Sequence, residues 1–155
     1  MVFCVVRIRG SIGVQKEIKD TLRMIHLTRV NHSVFVNENS ESYRGMLKRV
    51  KDYIAWGKID KDTIKLLLEK RAKMVGNKPL SKDFLKSLGF DDLDKFAEAI
   101  ENNEVDYNKI EGVKPLFRLS PPKNGYKGTK RGYKEGGSLG FRDGESMGSL
   151  IRRMV

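Results

Sequence analysis

The first strand of this chain constrains its fold more than any other feature. Residues 2–6 form an uninterrupted run of β-branched, aromatic and cysteine side chains, VFCVV. A strand that faces water on one side alternates apolar and polar residues, so a continuous apolar run indicates a strand buried on both faces. The sequence therefore predicts a central strand with a packed layer on each side, and it predicts that Cys4 is a small core residue.

Residues 1–57 follow a β-α-β-α-β pattern. Apolar residues at helical spacing predict a first helix from about Val14 to His26, and residues 33–36 predict a second strand. Ser40 or Ser42 can cap a second helix. The third strand covers residues 53–56 and is expected to close at Gly57. The pattern predicts an α+β protein.

The remaining chain divides into two parts. Residues 58–113 predict a helical insert that faces solvent or protein, with helices capped by Asp60, by Ser81 and by Asp91 or Asp92. Residues 114–155 predict a short strand at 116–119, an extended Gly-rich basic segment and a terminal helix. All three parts, 1–57, 58–113 and 114–155, are expected to form one structural domain.

Composition narrows the function. The 155 residues carry a net charge of +11, and by segment this is +5 over residues 1–53, −1 over 54–113 and +7 over 114–155. This excess of positive charge indicates a polyanionic partner, and nucleic acid is the first candidate. The run at residues 2–6 is too short for a membrane span, and Arg7 and Arg9 interrupt it before it could serve as a signal-peptide core. A single cysteine and two histidines argue against disulfides and metal sites, so we expect a cytoplasmic protein with no cofactor.

The Gly-rich basic segment is the most informative candidate site. Glycine lets a backbone approach a polyanion, lysine and arginine neutralise phosphates, and tyrosine stacks on bases. These requirements predict RNA contact, although a flexible linker would share some of them. A KH-type GXXG clamp is rejected because this segment follows a strand and two prolines, and no Walker loop is present. The predicted contacts are Lys123, Tyr126, Lys127, Lys130, Arg131 and Lys134.

Two further places carry candidate RNA contacts. Gly45 inside the second helix costs about 1 kcal/mol relative to alanine, which suggests close approach of another backbone beside Arg44. Lys48 and Arg49 lie on the same outer face. At the end of the central strand, alternation makes Arg7 and Arg9 point the same way, which predicts a basic edge beside Asn31 and His32.

An enzymatic centre is not visible in the sequence. The acidic cluster of Asp91, Asp92, Asp94 and Glu98 falls at a helix N-terminus, where carboxylates are favoured by the helix dipole. His26 and His32 have no cysteine or serine at catalytic spacing. A free regulatory RNA-binding module and a small RNA-processing enzyme remain as alternatives to a structural RNA-binding protein.

Several fragments together resemble one family. The chain carries Asn31-His32 before the second strand and a set of collinear motifs. Ser120 is a small departure from the shared pattern, since relatives often carry His or Asn there. The motifs are YRGM at 43–46, DYIAWG at 52–57, FRLSPP at 117–122, KEGGSLG at 134–140 and LIRRM at 150–154. Over nearly all 155 residues the sequence resembles the archaeal-type large-subunit ribosomal protein L30 family, whose eukaryotic counterpart is called L7.

The resemblance implies a ferredoxin-like core with a small antiparallel sheet of order 3-1-2 and two helices on one face. It also implies an archaeal source and a structural, non-catalytic role in the large ribosomal subunit. The implied partners are large-subunit rRNA, to which Arg118 would contribute, 5S rRNA and neighbouring ribosomal proteins. The protein would be a monomer within the ribosome, with no membrane and no small-molecule substrate.

Overall fold

The computed structural model describes residues 2–10, 12–126, 128 and 131–155. Within this part of the chain, no helix is long and apolar enough to cross a membrane. The strands are β1 (Val2–Arg7), β2 (His32–Asn37), β3 (Ile54–Ile59), β4 (Lys73–Met74), β5 (Lys78–Pro79), β6 (Leu116–Arg118) and β7 (Gly140–Phe141). The α-helices are α1 (Lys16–Met24), α2 (Glu41–Arg49), α3 (Lys61–Lys70), α4 (Lys82–Ser87), α5 (Leu93–Glu101) and α6 (Gly144–Met154). Two 3₁₀ turns cover Tyr107–Lys109 and Tyr133–Glu135.

The main sheet has the order β6-β2-β1-β3-β7. β1 pairs antiparallel with β2 and with β3, which confirms the antiparallel 3-1-2 core and the α+β fold class. β6, which the sequence predicted as a fourth short strand, pairs antiparallel with β2. β7 was not predicted; it pairs in parallel with β3 through only two residues, too few for a sequence pattern. The short β4 and β5 form a separate two-stranded sheet.

Every residue of β1 is buried, as the continuous apolar run predicted. Phe3 and Val5 pack on the face that carries α1 and α2, together with Leu22, Leu47 and Val50. Val2, Cys4 and Val6 face the opposite layer. Cys4 is fully buried, its Sγ lies 3.1 Å from Ser33 Oγ, and burial raises the pKa of the thiol to about 12. The thiol therefore stays protonated at neutral pH, which agrees with a core role.

The helical insert covers the second face of the sheet. Ile64, Phe96 and Tyr107 share one apolar cluster with strand residues and with Met147 and Leu150 of α6. Tyr107 stacks on Phe117 of β6 with ring centroids 5.2 Å apart. The expectation that this segment faces solvent or a protein partner is therefore incomplete, since its apolar side completes the sheet's own core.

The predicted helix caps of the insert are present. The side chains of Asp60, Ser81 and Asp92 accept hydrogen bonds from the backbone N–H groups of Thr63, Phe84 and Lys95, respectively. Each bond satisfies a donor that a helix leaves unpaired in its first turn. Ser40 precedes α2 but makes no such side-chain bond.

Gly57 does not close β3, which continues to Ile59. A Cβ atom at this position would lie 2.5 Å from the carbonyl oxygen of Arg142 and 3.1 Å from Cβ of Met147. The glycine is thus required by the close approach of the segment that enters α6. The sequence alone could not reveal this, because residues 57 and 142 are distant in the chain.

We predict that Gly57→Ala destabilises the protein by roughly 1–3 kcal/mol, the usual cost of overpacking a well-packed core. Urea unfolding followed by circular dichroism measures the change. Gly45→Ala is the matched control, because a Cβ there meets none of the described neighbouring atoms within 4 Å and alanine favours helix. Equal stability of the Gly57→Ala protein and the wild type would contradict the packing argument.

Candidate nucleic-acid interface

One end of the sheet collects most of the candidate RNA contacts. β1 ends at Arg7 opposite Ile54, where β3 begins, and His32 at the start of β2 pairs with Arg118 at the end of β6. α2 also ends on this side, since Tyr53 N–H bonds the Val50 carbonyl. We call this region the basic end. It joins chain segments that lie more than 100 residues apart.

Arg7 and Arg9 have different environments at the basic end. Arg7 is 2% exposed, and its guanidinium donates to the carbonyl oxygens of Leu27 at 2.8 Å and Arg9 at 2.9 Å. Arg9 lies beyond the strand, half-buried, with its guanidinium 5.0 Å from the centre of the Tyr53 ring. The prediction that both side chains line one basic edge is corrected for Arg7. Arg7 lies inside the fold, where its bond to the Leu27 carbonyl ties the turn after α1 to the sheet.

Asn31 and Tyr126 contact each other. The Tyr126 hydroxyl donates to Asn31 Oδ1 at 2.6 Å, and burial raises the pKa of Tyr126 to about 12. Asn31 has a left-handed backbone with φ of 68°, a conformation that asparagine tolerates well. The pair therefore ties the start of the Gly-rich segment to the sheet. The structure gives both residues this packing role, and their RNA contact stays a prediction.

His32 lies among cations. Burial lowers the pKa of His32, and the charges of Arg118, Arg29 and Arg7 lower it further. Within the described part of the chain, its buried Nδ1 atom has no hydrogen-bond partner. The side chain of Arg118 is exposed beside it, while the Arg118 carbonyl accepts from Arg71 at 3.2 Å.

α2 presents the predicted basic face to solvent. Arg44, Gly45, Lys48 and Arg49 are all exposed, while Leu47 is buried. Arg44 Nε donates to the Glu38 carbonyl at 2.6 Å, at the end of α2 far from Val50. Apart from the backbone of α2 itself, no described atom lies within 4 Å of a Cβ built at Gly45, which leaves open space beside it.

The Gly-rich segment begins and ends on the basic end. Lys123, Arg131 and Lys134 are exposed, whereas Lys127 and Lys130 lie outside the described residues. A groove of about 460 Å³ joins Lys51 and Trp56 to Tyr133, Lys134 and Phe141. The predicted segment, the end of α2 and β3 thus share one surface.

The described part of this segment packs more than its composition suggested. Pro122 is buried, and Gly137, Ser138 and Leu139 are buried as well. Tyr133 N–H bonds the Leu139 carbonyl at 2.7 Å, and a Cβ on Gly137 would collide with the Arg131 carbonyl. Glycine here closes a tight loop, a use that sequence composition does not distinguish from flexibility.

Sequence reasoning missed two arginines at this end of the molecule. Arg142 and Arg153 line a cleft beside Tyr133, and neither was a candidate contact. No spacing signal marks them, because the cleft forms only when α6 packs against the loop at 131–139. The described residues contain no group of three or more His, Cys, Asp or Glu side chains that could hold a metal ion.

We predict that His32 makes stability depend on pH below neutrality. Its folded-state pKa lies below the ordinary value of 6.5, so the unfolded chain takes up the proton first as pH falls. Stability should therefore be full above pH 6.5 and decline as pH falls from there through the lower folded-state pKa.

The test compares unfolding midpoints of the wild type and His32→Gln from pH 7.5 to pH 5. The glutamine variant should lose less stability across that interval. Parallel curves for the two proteins would show that His32 is not responsible.

Comparisons with known proteins identify the family of this chain. Residues 3–54 match the family model for "Ribosomal protein L30p/L7e". A "Large ribosomal subunit protein uL30" of Methanosphaera stadtmanae is 44% identical and covers 99% of each chain. The protein of the same name from Methanococcus vannielii is 45% identical, and the match covers 100% of both chains. The one from Thermoplasma acidophilum is 43% identical, and the match covers 97% of this chain and 91% of the relative.

The α+β core, its basic end and these relatives define a ribosomal protein. More particularly, the chain belongs to the ribosomal protein L30p/L7e family, in its archaeal-type form. This confirms the resemblance drawn from the motifs. Members of the family are structural proteins of the ribosome and not enzymes, which excludes the RNA-processing alternative.

Proposed function

We propose that this protein is a structural constituent of the large ribosomal subunit in the cytoplasmic ribosome, and that it binds large-subunit rRNA. One observation carries the proposal: solvent-accessible cations from widely separated segments, all exposed except the half-buried Arg9, meet at the basic end. They come from the ends of β1, α2 and β6 and from the Gly-rich segment, namely Arg9, Lys48, Arg49, Arg118, Lys123, Arg131 and Lys134.

The arrangement suits the backbone of folded RNA. Phosphate contacts supply sequence-independent affinity and fix orientation, and they need cations that reach solvent. Lys127 and Lys130 extend the same run of the sequence and belong to the proposal as predicted contacts. Arg7 and Asn31 support the interface from within through their bonds to Leu27 and Tyr126. Neighbouring ribosomal proteins are the proposed partners of other surfaces.

The salt dependence of rRNA binding tests the interface. Replacing Arg118, Lys123, Arg131 and Lys134 by glutamine should lower the slope of log Kd against log salt by roughly 0.7–0.9 per lost contact. The measurement uses the full chain and transcribed large-subunit rRNA at several salt concentrations.

A second quadruple variant is the matched control. Glutamine at Lys78, Lys82, Lys86 and Lys109 removes the same total charge from exposed positions of the insert. Its salt slope should stay near that of the wild type. Equal loss in the two variants would mean that net charge alone, rather than the basic end, drives binding.

Gly45→Ala separates stability from RNA binding. In the free protein the substitution should stabilise α2 by about 1 kcal/mol, since the methyl group meets nothing and alanine favours helix. If an RNA backbone approaches Gly45, the same methyl group should weaken rRNA binding several-fold. Binding that is unchanged, or improved along with stability, would remove Gly45 from the interface.

We further propose that the protein helps to position 5S rRNA, a role supported by the family resemblance. Large subunits isolated from cells depleted of this protein should contain less 5S rRNA, relative to large-subunit rRNA, than subunits from undepleted cells. Full 5S content would contradict the role.

Co-sedimentation with large subunits at high salt distinguishes the ribosomal function from a free regulatory module, which would remain in the supernatant.

A further inference from the structure

A polar cleft lies between the loop at residues 131–139 and one side of α6, from Asp143 at its N-terminus to Arg153 near its C-terminus. Its volume is about 570 Å³, and it opens beside the basic end. The lining includes two guanidinium groups and several hydroxyl groups, and neither arginine was among the sequence candidates. The lining residues that matter here are Tyr133, Arg142, Glu145, Ser146, Ser149 and Arg153.

Arg142 is held in a fixed orientation by neutral groups. Its side chain is nine-tenths buried, with 9% exposed. Nε donates to Ser146 Oγ at 2.9 Å, and the guanidinium carbon lies 4.8 Å from the centre of the Tyr133 ring. A side chain that is oriented in advance loses little freedom when it binds a ligand.

Arg153 brings a second positive charge to the same cleft. It donates to the carbonyl oxygens of Lys123 at 3.3 Å and Gly125 at 3.4 Å. Burial lowers the pKa of Arg142 and the Arg153 charge lowers it further, whereas Tyr133 and the Asp143 carboxylate raise it.

In the described part of the chain neither arginine forms an ion pair within 4.0 Å, and the Asp143 carboxylate offsets the charge of Arg142 only from a longer distance. Each ion pair found there within 4.0 Å is formed by a lysine. A largely buried cation without an anion is costly, and an anionic ligand that enters the cleft would relieve both the burial and the repulsion.

The two carboxylates of the cleft do not fill this role. Asp143 caps α6, because its Oδ1 accepts from Ser146 N–H at 2.7 Å. Glu145 is exposed in the first turn of the helix. Ser149 adds an exposed hydroxyl to the rim. Two guanidinium forks with nearby hydroxyl donors match the oxygens of a phosphate group.

We propose that Arg142 and Arg153 bind a phosphate group, and specifically a backbone phosphate of the RNA. This assignment rests on the proposed rRNA-binding function. RNA is favoured over a free phosphate compound because the cleft shares Tyr133 with the groove that reaches Lys134 and the end of α2. The two arginines would fix the loop at 131–139 against the RNA backbone.

The first test follows the arginine Nε–Hε signals by NMR in the free full chain. Diethyl phosphate, a phosphodiester monoanion, and inorganic phosphate are added separately. The Arg142 signal should shift and saturate with either probe, whereas the signal of exposed Arg23 should drift linearly. A linear drift of Arg142 equal to that of Arg23 would overturn the phosphate site.

Variants sharpen the test. Arg142→Gln should abolish saturation of the remaining Arg153 signal, Arg142→Lys should retain part of it, and Glu145→Gln should tighten phosphate binding by removing a negative charge. If Arg142→Gln does not fold, Arg153→Gln provides the same test with Arg142 as the reporter. Saturation unchanged by these arginine variants would overturn the assignment.

Binding to transcribed large-subunit rRNA distinguishes the two sources of phosphate. Loss of one arginine contact should lower the salt slope by roughly 0.7–0.9. Phosphate saturation together with an unchanged slope would overturn the RNA assignment in favour of a free phosphate compound. If instead the wild-type protein fails to bind rRNA while its cleft still binds phosphate, the proposed function fails and the phosphate site itself stands.

Discussion

Burial of β1 on both faces is the constraint on which the rest of the structure depends. Every side chain of the strand is inside, and each fully buried valine is worth about 1.5–3 kcal/mol relative to exposure. Neither face can be left to water. The α1–α2 layer covers Phe3 and Val5, and the insert and α6 must cover Val2, Cys4 and Val6. The helical insert is therefore a structural requirement of the first strand.

With both faces of the sheet covered, a partner can reach only its ends, its loops and the outer faces of the covering helices. The antiparallel order brings the end of β1 next to the starts of β2 and β3. Loops from distant parts of the sequence therefore converge, and their arginines take different tasks. Arg7 holds the fold together through the Leu27 carbonyl, Arg118 reaches solvent, and Arg142 lies in a cleft against Tyr133. The same residue type thus ties segments together at one position and stays accessible to solvent at another.

Much of the core and part of the site could be predicted because their signals are local. The apolar run of β1, the caps Asp60, Ser81 and Asp92, and the exposed cations of α2 depend on residues close in sequence. The wrong predictions have the opposite cause, because they concern contacts between residues far apart in the sequence. Gly57 was interpreted as a strand end, yet its small size serves contact with the Arg142 carbonyl. Arg7 was placed beside Arg9 by alternation, which cannot say where a strand stops.

The sequence by itself determined that β1 is central, that cations concentrate in the first and last segments, and that the chain belongs to its family. Composition, periodicity and collinear motifs are properties of the chain and need no tertiary contact. The tertiary structure decided which cations are exposed, which glycines serve close packing, and that Arg142 and Arg153 share a cleft. These features depend on how segments far apart in the chain pack together, and side-chain burial and charge proximity exist only after that packing is complete.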